Sequence, residues 1–335
     1  MSSVISIILP AYNAQNTLER AIRSILSQDF KNWQLIIVND GSKDKTKEIA
    51  EKFAAEDARV HVITQKNGGR SAARNTGLQY AMGDYIVFLD ADDELCFNAL
   101  QNLFNATLAK TCDLVIGGSI YKKYKITLKK MYIQKEQVAK YLFSLRNNQI
   151  IFNSVSNKLF RADIIRKYNI SFPLKLDMGE DIVFVLSYCN QIQNMSVIPA
   201  LVCNYLPNKQ SITRNDYSHT YIDRSHTAKK LWLAMYRKWN LPLTEIYGSF
   251  FNYRMFGCSQ LAVFLNIHLL REVVLETFKD QQIADFAQKV KDTRYDNLFS
   301  KMIRRKQMKL WTILAWLFGC IKRIKKYIDN LVEKI

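Results

Sequence analysis

The sequence predicts an α/β protein with a mainly parallel central sheet, followed by a helical C-terminal extension. Short apolar runs alternate with helical patterns over residues 1–120, and this alternation implies right-handed crossovers between parallel strands. Near residue 221 the pattern changes to long helical stretches. With 335 residues, 48% of them hydrophobic and 23% charged, the chain has the composition of an ordered protein and the length for two domains.

Each predicted strand is a continuous apolar run of the kind that is covered on both faces of a parallel sheet. The runs are residues 4–9, 34–38, 60–63 and 85–89. A helix is predicted between the first two strands because apolar residues recur at the amphipathic spacing from Leu18 to Leu26. Further along, residues 181–189 are predicted to be helical and residues 197–205 to form another strand.

We divide the chain into three parts on these patterns. Residues 1–215 form the predicted α/β domain, residues 216–300 a helical extension, and residues 301–335 a basic amphipathic tail. The helical extension is predicted from three long stretches at residues 221–239, 246–265 and 269–290.

The cysteines and the net charge narrow the classes of protein. Six cysteines are scattered without a Cys-x-x-Cys pair, which disfavours a zinc site or a disulfide framework and is typical of reduced cytosolic thiols. No signal peptide precedes the first strand, so we expect a cytosolic location. A net charge of +18 calls for an anionic partner, either nucleic acid, a nucleotide or a membrane surface.

Polar clusters follow three of the predicted strands at the edge where ligands of parallel sheets bind. They are residues 10–13, 39–42 and 90–93. Asp90 and Asp92 flank Ala91, so in extended backbone both carboxylates point to the same face. Such hard oxygen ligands suit Mg²⁺ or Mn²⁺. The competing interpretation is a solvated acidic turn that caps the next helix.

Four further residues have two interpretations each. Tyr12 either stacks on a base or packs as an ordinary tyrosine, and Asp40 either accepts a hydrogen bond from a base or caps a helix. Arg70 and Arg74 lie four residues apart on one predicted helix face, where they either meet an anion or remain solvated.

Taken in order, the segments 6–13, 38–44, 69–75 and 88–93 resemble the motifs of the family 2 glycosyltransferases with the GT-A fold. The resemblance is strong over residues 3–110 and continues less specifically, through Asn157-Lys158-Leu159-Phe160 and Gly179-Glu180-Asp181, to about residue 215. It implies a UDP-sugar donor, a Mn²⁺ or Mg²⁺ cofactor and inversion at the anomeric carbon.

The resemblance also implies roles for particular residues. The loop Pro10-Ala11-Tyr12 packs on uracil and ribose, Asp40 reads the uracil edge, and Arg70 lies near the nucleotide. Asp90, Ala91 and Asp92 hold the ribose and the divalent metal, with Asp92 as the first metal contact and Asp90 as the second. Asp181, with its neighbour Glu180, matches the general base. The alternative is that Glu180 and Asp181 simply cap the N-terminus of a helix, where the helix dipole favours negative charge.

Processive members of this family carry a Gln-x-x-Arg-Trp motif, which the chain lacks. We therefore expect transfer of one sugar per encounter, as in stepwise assembly of a cell-surface polysaccharide. A sugar nucleotidyltransferase is the rival enzyme, but the segment 9–13 is not the glycine-rich loop typical of one. A binding protein without turnover is the rival outside enzymes.

The tail predicts contact with a membrane. Basic clusters at residues 301–306 and 322–326 flank the apolar run 310–321. As a helix this run spans only about 18 Å, short of the roughly 30 Å hydrocarbon core, so it suits a helix lying in the headgroup zone. We therefore expect residues 301–328 to bind the anionic inner face of the cell membrane. A membrane-bound enzyme of this kind suits a lipid-linked saccharide as acceptor, and we expect no nucleic acid as partner. The alternative is a helix packed on its own domain or on a partner.

Overall fold

The computed structural model describes residues 4–121, 123–144, 151, 154–174, 176, 179–206 and 305. The predicted helical extension and, apart from residue 305, the basic tail lie outside these residues, as does the predicted boundary near residue 215. Among the residues described, no helix combines the length and the hydropathy needed to cross a membrane.

The elements alternate as the sequence predicts over the first 90 residues. The strands are β1 (Ile5–Ala11), β2 (Trp33–Asn39), β3 (Val60–Thr64), β4 (Tyr85–Phe88), β5 (Glu94–Leu95), β6 (Leu114–Tyr121), β7 (Tyr124–Ile126), β8 (Met131–Gln134), β9 (Lys158–Arg161) and β10 (Asn194–Tyr205). The helices are α1 (Leu18–Leu26), α2 (Thr46–Glu56), α3 (Arg70–Tyr80), α4 (Ala99–Ala109), α5 (Lys135–Ser144), α6 (Ala162–Lys167) and α7 (Glu180–Cys189).

The strands form one sheet in the order β3-β2-β1-β4-β9-β6-β10-β5, with β7 on β6 and β8 on β10. β1 runs parallel to β2 and β4, β2 to β3, and β6 to β10. β9 pairs antiparallel with both β4 and β6, so those two strands point the same way. The carboxyl ends of β1, β2, β4, β6 and β10 therefore meet at one edge, and the predicted α/β fold is confirmed.

Alternating residues of β1 cover the two faces of the sheet. Ile5, Ile7 and Leu9 join the core in which the apolar face of α1 is buried, as the helical spacing predicts. On the other face, Ile8 meets α3 at Gly77, where an added Cβ would lie 2.4 Å from Ile8 Cγ2. A glycine is needed there because it lets the helix backbone approach the strand.

A cluster of aromatic rings anchors α7 on the sheet. Phe88 of β4 packs edge-on against three rings: Phe160 of β9, Phe184 of α7, and Phe172, which precedes α7. The ring centroids lie 5.2–5.8 Å from that of Phe88. Phe172 and Phe184 stack at 4.2 Å. Such pairs contribute about 0.5–1.5 kcal/mol each beyond the burial of their area. The cluster fixes the N-terminus of α7, and with it Glu180 and Asp181, beside the carboxyl end of β4.

The sequence analysis did not predict the strands between residues 94 and 161. Most of these strands are short and antiparallel, and the hairpin β6–β7 is largely exposed at its tip. Their apolar residues are interleaved with lysines and tyrosines, which hides the alternation that marks a strand.

Candidate active site

The loops after β1 and β2 are held together by side-chain hydrogen bonds. The Asn13 backbone N–H donates to Ser42 Oγ at 3.0 Å, and the Lys43 N–H donates to Asn13 Oδ1 at 2.9 Å. Asn13 itself takes a positive φ of 48°. Tyr12 lies on the first of these loops with 45% of its surface exposed. Its ring is therefore accessible and is not buried as a packing tyrosine.

Asp40 accepts hydrogen bonds from the loop that leads into α3. Its Oδ1 accepts from Gln65 Nε2 at 2.8 Å and from the Gly68 N–H at 2.9 Å, and its Oδ2 accepts from the Gly69 N–H at 2.8 Å. Asp40 is buried. These bonds orient the loop and do not cap α2, whose first N–H, that of Thr46, donates to Asp44. A carboxylate offers about four acceptor positions, so Asp40 retains capacity for one more donor.

Arg74 of α3 lies at the centre of the charged residues. Its side chain is fully buried, and its Nη1 lies 2.6 Å from Asp181 Oδ1 while its Nη2 lies 2.7 Å from Asp90 Oδ1. Glu180 Oε1 lies 3.4 Å from the same Nη1. The interpretation of Arg74 as a solvated surface residue is therefore wrong. A helical pattern gives the face of a side chain, but only the tertiary structure brings β4 and α7 against that face.

Arg70 takes a different position one turn earlier in α3. Its Nε lies 3.2 Å from Glu180 Oε1, and its side chain keeps 33% exposure while Glu180 keeps 5%. Gly69, which precedes it, has a φ of +84° and starts the helix. Arg70 is thus paired with Glu180 and keeps part of its side chain accessible to a ligand.

The acidic residues of α7 have partners other than the end of their own helix. Gly179 is the N-terminal cap residue and makes no side-chain cap hydrogen bond. Glu180 and Asp181 contact the arginines of α3 instead. Within the described residues, Asp181 Oδ2 has no hydrogen bond, and the side chain is 24% exposed. Asp181 therefore keeps a partly exposed carboxylate with one oxygen not engaged by Arg74.

The protonation of these groups follows from burial and charge. Burial raises the pKa of the Asp181 carboxyl to about 7, although Arg74 opposes this shift. For Asp90, burial is outweighed by Arg74 and Arg70, which hold its pKa below the ordinary value. Burial also opposes the charge of Arg74, but Asp181, Asp90 and Glu180 keep its pKa above the ordinary value. Near neutral pH, Asp90 is ionised and Asp181 exchanges a proton readily.

Residues 90–93 form an acidic segment beyond the end of β4. The Asp92 carbonyl accepts from Arg20 Nη2 at 2.9 Å, and Asp93 Oδ1 accepts from the Leu206 N–H at 3.1 Å. Burial, with the charges of Asp90 and Asp92, raises the pKa of Asp93 to about 8. Negative charge is thus in excess here, which fits a divalent cation. The N-cap position of the next helix is Asn98, so these aspartates do not occupy it.

The carboxylates do not form a complete metal site by themselves. Across the described ranges, no group of three or more His, Cys, Asp or Glu side chains is arranged to hold a metal ion. Asp92 and the second oxygen of Asp90 would supply protein ligands, since Asp90 Oδ1 is taken by Arg74. Mg²⁺ and Mn²⁺ commonly complete their shell with water and phosphate oxygens, and the residues fit that arrangement.

Lys158 is a buried residue whose importance the sequence analysis missed. Its Nζ donates to Ile151 O at 2.7 Å, to Asn157 Oδ1 at 2.9 Å and to Ser154 O. Asn157 in turn donates to Gly117 O at 3.1 Å. These bonds tie the segment before β9 to β6. The Asn-Lys-Leu-Phe motif marked the segment by resemblance, but nothing in its spacing predicts a buried ammonium group.

Comparison with known proteins agrees with this geometry. The family model described as "Glycosyl transferase family 2" matches residues 6–168. The uncharacterized glycosyltransferase EpsJ of Bacillus subtilis (strain 168) is 30% identical over 251 residues, covering 72% of each chain. The poly(ribitol-phosphate) beta-N-acetylglucosaminyltransferase TarP of Staphylococcus aureus (strain N315) is 30% identical over 197 residues, covering 58% of this chain and 59% of TarP.

Two solved structures share the fold. S. aureus TarS 1-349 in complex with UDP-GlcNAc matches with a TM-score of 0.64 and 17% identity, over 91% of this chain and 88% of that chain. The mannosyltransferase PcManGT from Pyrobaculum calidifontis, in complex with GDP-Man and Mn²⁺, matches with a TM-score of 0.52 and 16% identity, over 97% and 88%. At these identities the likeness concerns the fold alone.

Proposed function

The chain belongs to glycosyl transferase family 2, and we propose that it transfers one sugar from a UDP-sugar to an acceptor hydroxyl with inversion at the anomeric carbon. The observation that carries this proposal is the position of Asp181. It is a partly exposed carboxylate of pKa about 7, and Arg74 links it to Asp90 at the end of β4.

The proposed reaction is a single displacement. The acceptor oxygen attacks the anomeric carbon, its proton passes to the carboxylate of Asp181, and the bond between that carbon and UDP breaks. Mn²⁺ or Mg²⁺, bound through Asp92 and the second oxygen of Asp90, would neutralise the charge that the diphosphate gains. Arg70 is placed to add positive charge at the same side of the cluster, because its side chain remains partly exposed.

The identity of the donor nucleotide is proposed from the residues that follow β1, β2 and β4. The exposed ring of Tyr12, on the loop with Pro10 and Ala11, suits stacking on a base. Asp40 has one acceptor position left for a base N–H. Asp90 and Ala91 are proposed to contact the ribose. The UDP-GlcNAc and UDP complexes of TarS support uridine as the base, whereas the GDP-Man complex of PcManGT makes guanosine the donor base to test beside it.

The acceptor is proposed to be a lipid-linked saccharide of a cell-surface polysaccharide. Relatives named for poly(ribitol-phosphate) and for teichuronic acid biosynthesis support a surface polymer as the product. A location on the inner face of the membrane, held through residues 301–328, is part of the same proposal. No observation favours a nucleotidyltransferase or a nucleic-acid binder over this assignment.

The decisive experiment is a screen of nucleotide sugars for release of the nucleoside diphosphate on membrane extracts, with and without Mn²⁺. We expect UDP release from one UDP-sugar and loss of that release in chelator. Asp181→Asn should lower kcat by about 10²–10⁴-fold, the usual contribution of a general base, while the Kd for UDP stays within about threefold.

Asp163→Asn is the matched control, since Asp163 is an exposed aspartate that pairs with Arg161. It should retain wild-type kcat. Release of pyrophosphate from a nucleoside triphosphate would contradict the proposed reaction, and a near-wild-type rate for Asp181→Asn would show that another group takes the proton.

A further inference from the structure

We propose that Arg74 is a positioning residue for the transfer: one guanidinium holds the candidate base Asp181 and the first aspartate of the Asp-x-Asp pair, Asp90, at a set separation. This inference rests on the proposed function, because it takes Asp181 as the base. It goes further in assigning Arg74 a role in the geometry of the reaction and not in binding the donor or the leaving group.

The first argument is that the two carboxylates occupy different nitrogens of a rigid group. Asp181 Oδ1 lies 2.6 Å from Nη1, and Asp90 Oδ1 lies 2.7 Å from Nη2. A guanidinium is planar and delocalised, so the separation and orientation of its two terminal nitrogens do not vary. Asp181 belongs to α7 and Asp90 follows β4, which are 91 residues apart in sequence numbers. The guanidinium of Arg74 joins them.

The second argument is that Arg74 cannot easily change its own position. It is fully buried, and its guanidinium carbon lies 5.1 Å from the centre of the Phe172 ring. The backbone of Phe172 is held to α3 by two hydrogen bonds with the side chain of Asn75, one from Asn75 Nδ2 to Phe172 O and one from Phe172 N–H to Asn75 Oδ1, both 2.8 Å. The ring therefore packs against Arg74 as part of the same rigid unit.

The third argument separates Arg74 from Arg70. Arg70 keeps a third of its side chain exposed and has one carboxylate partner, Glu180. Arg74 has no exposed surface: its two terminal nitrogens contact carboxylates, and its Nε is buried without a hydrogen-bond partner among the described residues. Arg70 can turn an exposed N–H to a phosphate, whereas the N–H groups of Arg74 are shielded from one. The sequence analysis offered an anion for both arginines; the burial assigns a ligand to Arg70 alone.

The charges around Asp181 give the proposal a readout other than rate. Asp181 faces Arg74, Glu180, Arg70 and Asp90, and Lys158 lies close enough to interact with it. The negative charge of Asp90 raises the pKa of Asp181, and the positive charge of Arg74 lowers it. Neutralising Asp90 also leaves Arg74 paired more fully with Asp181. Asp90→Asn should therefore lower the pKa of Asp181.

The test compares Arg74→Lys with Arg59→Lys. A lysine keeps the charge of residue 74 but cannot hold two carboxylates on two fixed nitrogens. We expect kcat to fall by about 10²-fold, the usual cost of a small misplacement of a catalytic group, with the Kd for UDP unchanged within about threefold. Arg59 makes a comparable arginine–aspartate pair with Asp57, before β3 and so at the opposite edge of the sheet, and its lysine variant should keep wild-type kcat.

The pKa of Asp181 is measured separately by ¹³C NMR of aspartate-labelled protein, with Asp181→Asn to assign the resonance. We expect Asp90→Asn to shift this titration to lower pH by at least about half a unit. Because NMR needs no turnover, this measurement can still be made if the wild-type chain releases no UDP or if Arg74→Lys does not fold. Absence of UDP release by the wild type would count against the proposed function alone. An unchanged Asp181 titration, a kcat for Arg74→Lys within threefold of wild type, or a parallel loss of UDP affinity would each overturn the proposal.

Discussion

Arg74 and Lys158 are two fully buried cations, and each is stabilised in a different way. Arg74 is surrounded by carboxylates, whereas Lys158 donates its three N–H groups to three carbonyl oxygens. An ammonium group has three donors and no acceptor, so these partners match its charged form. Removing one partner of a buried charge costs about 3–5 kcal/mol. Both cations therefore hold neighbouring segments in one arrangement, and this keeps the site in register.

Lys158 also links stability to pH. Burial lowers the pKa of Lys158 to about 7 from an ordinary value of 10.5. Between these values the unfolded chain binds more protons than the folded one, so this residue makes the free energy of unfolding rise with pH, by at most about 1.4 kcal/mol per unit. Its contribution is fully present above pH 10.5 and lost as pH falls through 7.

We predict that Lys158→Met removes this slope. Urea unfolding of both proteins between pH 7 and pH 10 should show the difference in stability growing with pH, because only the wild type gains stability from loss of the proton. Lys52→Met, at an exposed position of α2, is the control and should track the wild type. A difference that stays constant with pH would mean that Lys158 keeps its proton throughout this range.

At the scale of elements, α3 is the helix that brings the site together. Arg74 and Gly77 lie three residues apart, so they share one face of the helix. Gly77 presses against Ile8 of β1, and Arg74 reaches the carboxylates beyond the end of β4. The close contact at Gly77 thus sets how far Arg74 lies from Asp90.

We predict that Gly77→Ala destabilises the chain by about 1–3 kcal/mol, the usual cost of overpacking. The new methyl would lie 2.4 Å from Ile8 Cγ2, so α3 must move away from the strand. Urea unfolding measures the change, and the exposed Gln79→Ala on the same helix should be neutral or slightly stabilising. Adding Ile8→Ala to Gly77→Ala should recover part of the loss, whereas full additivity of the two changes would contradict the proposed contact.

At the scale of the whole molecule, the described part carries a basic hairpin at the same sheet edge as the site. β6 points the same way as β4, so its turn into β7 lies beyond the carboxyl ends. Lys123, Lys125 and Tyr124 are exposed on this hairpin. Lysines beside an exposed tyrosine suit a surface of anionic headgroups. The hairpin thus supports the proposal that a membrane-borne acceptor approaches this edge.

We predict that Lys123→Gln with Lys125→Gln weakens binding to vesicles containing anionic lipid by roughly thirtyfold at 0.15 M salt, since each of the two basic residues near such a surface contributes about 1 kcal/mol. Vesicle flotation measures the binding. Lys47→Gln with Lys52→Gln changes the charge equally on α2 and should have little effect. Equal losses in the two variants would indicate a response to net charge and not to the hairpin.

The sequence by itself determined the α/β class, the positions of the first four strands along the chain and the polar clusters that follow three of them. These follow from local patterns, because a strand buried on both faces must be a continuous apolar run, and parallel strands expose their carboxyl ends at one edge. The helix predicted at residues 181–189 lies within α7.

Only the tertiary structure decided which charges meet. Arg74 and Asp181 are 107 residues apart, and no local period relates them. Their pairing depends on the aromatic cluster that seats α7 and on the glycine that seats α3. Burial then sets the protonation of Asp181 and the fixed place of Arg74, since a charge removed from water must find its partners within the fold. The sequence pattern shows which charged side chains are present, but only the tertiary packing decides which of them are buried.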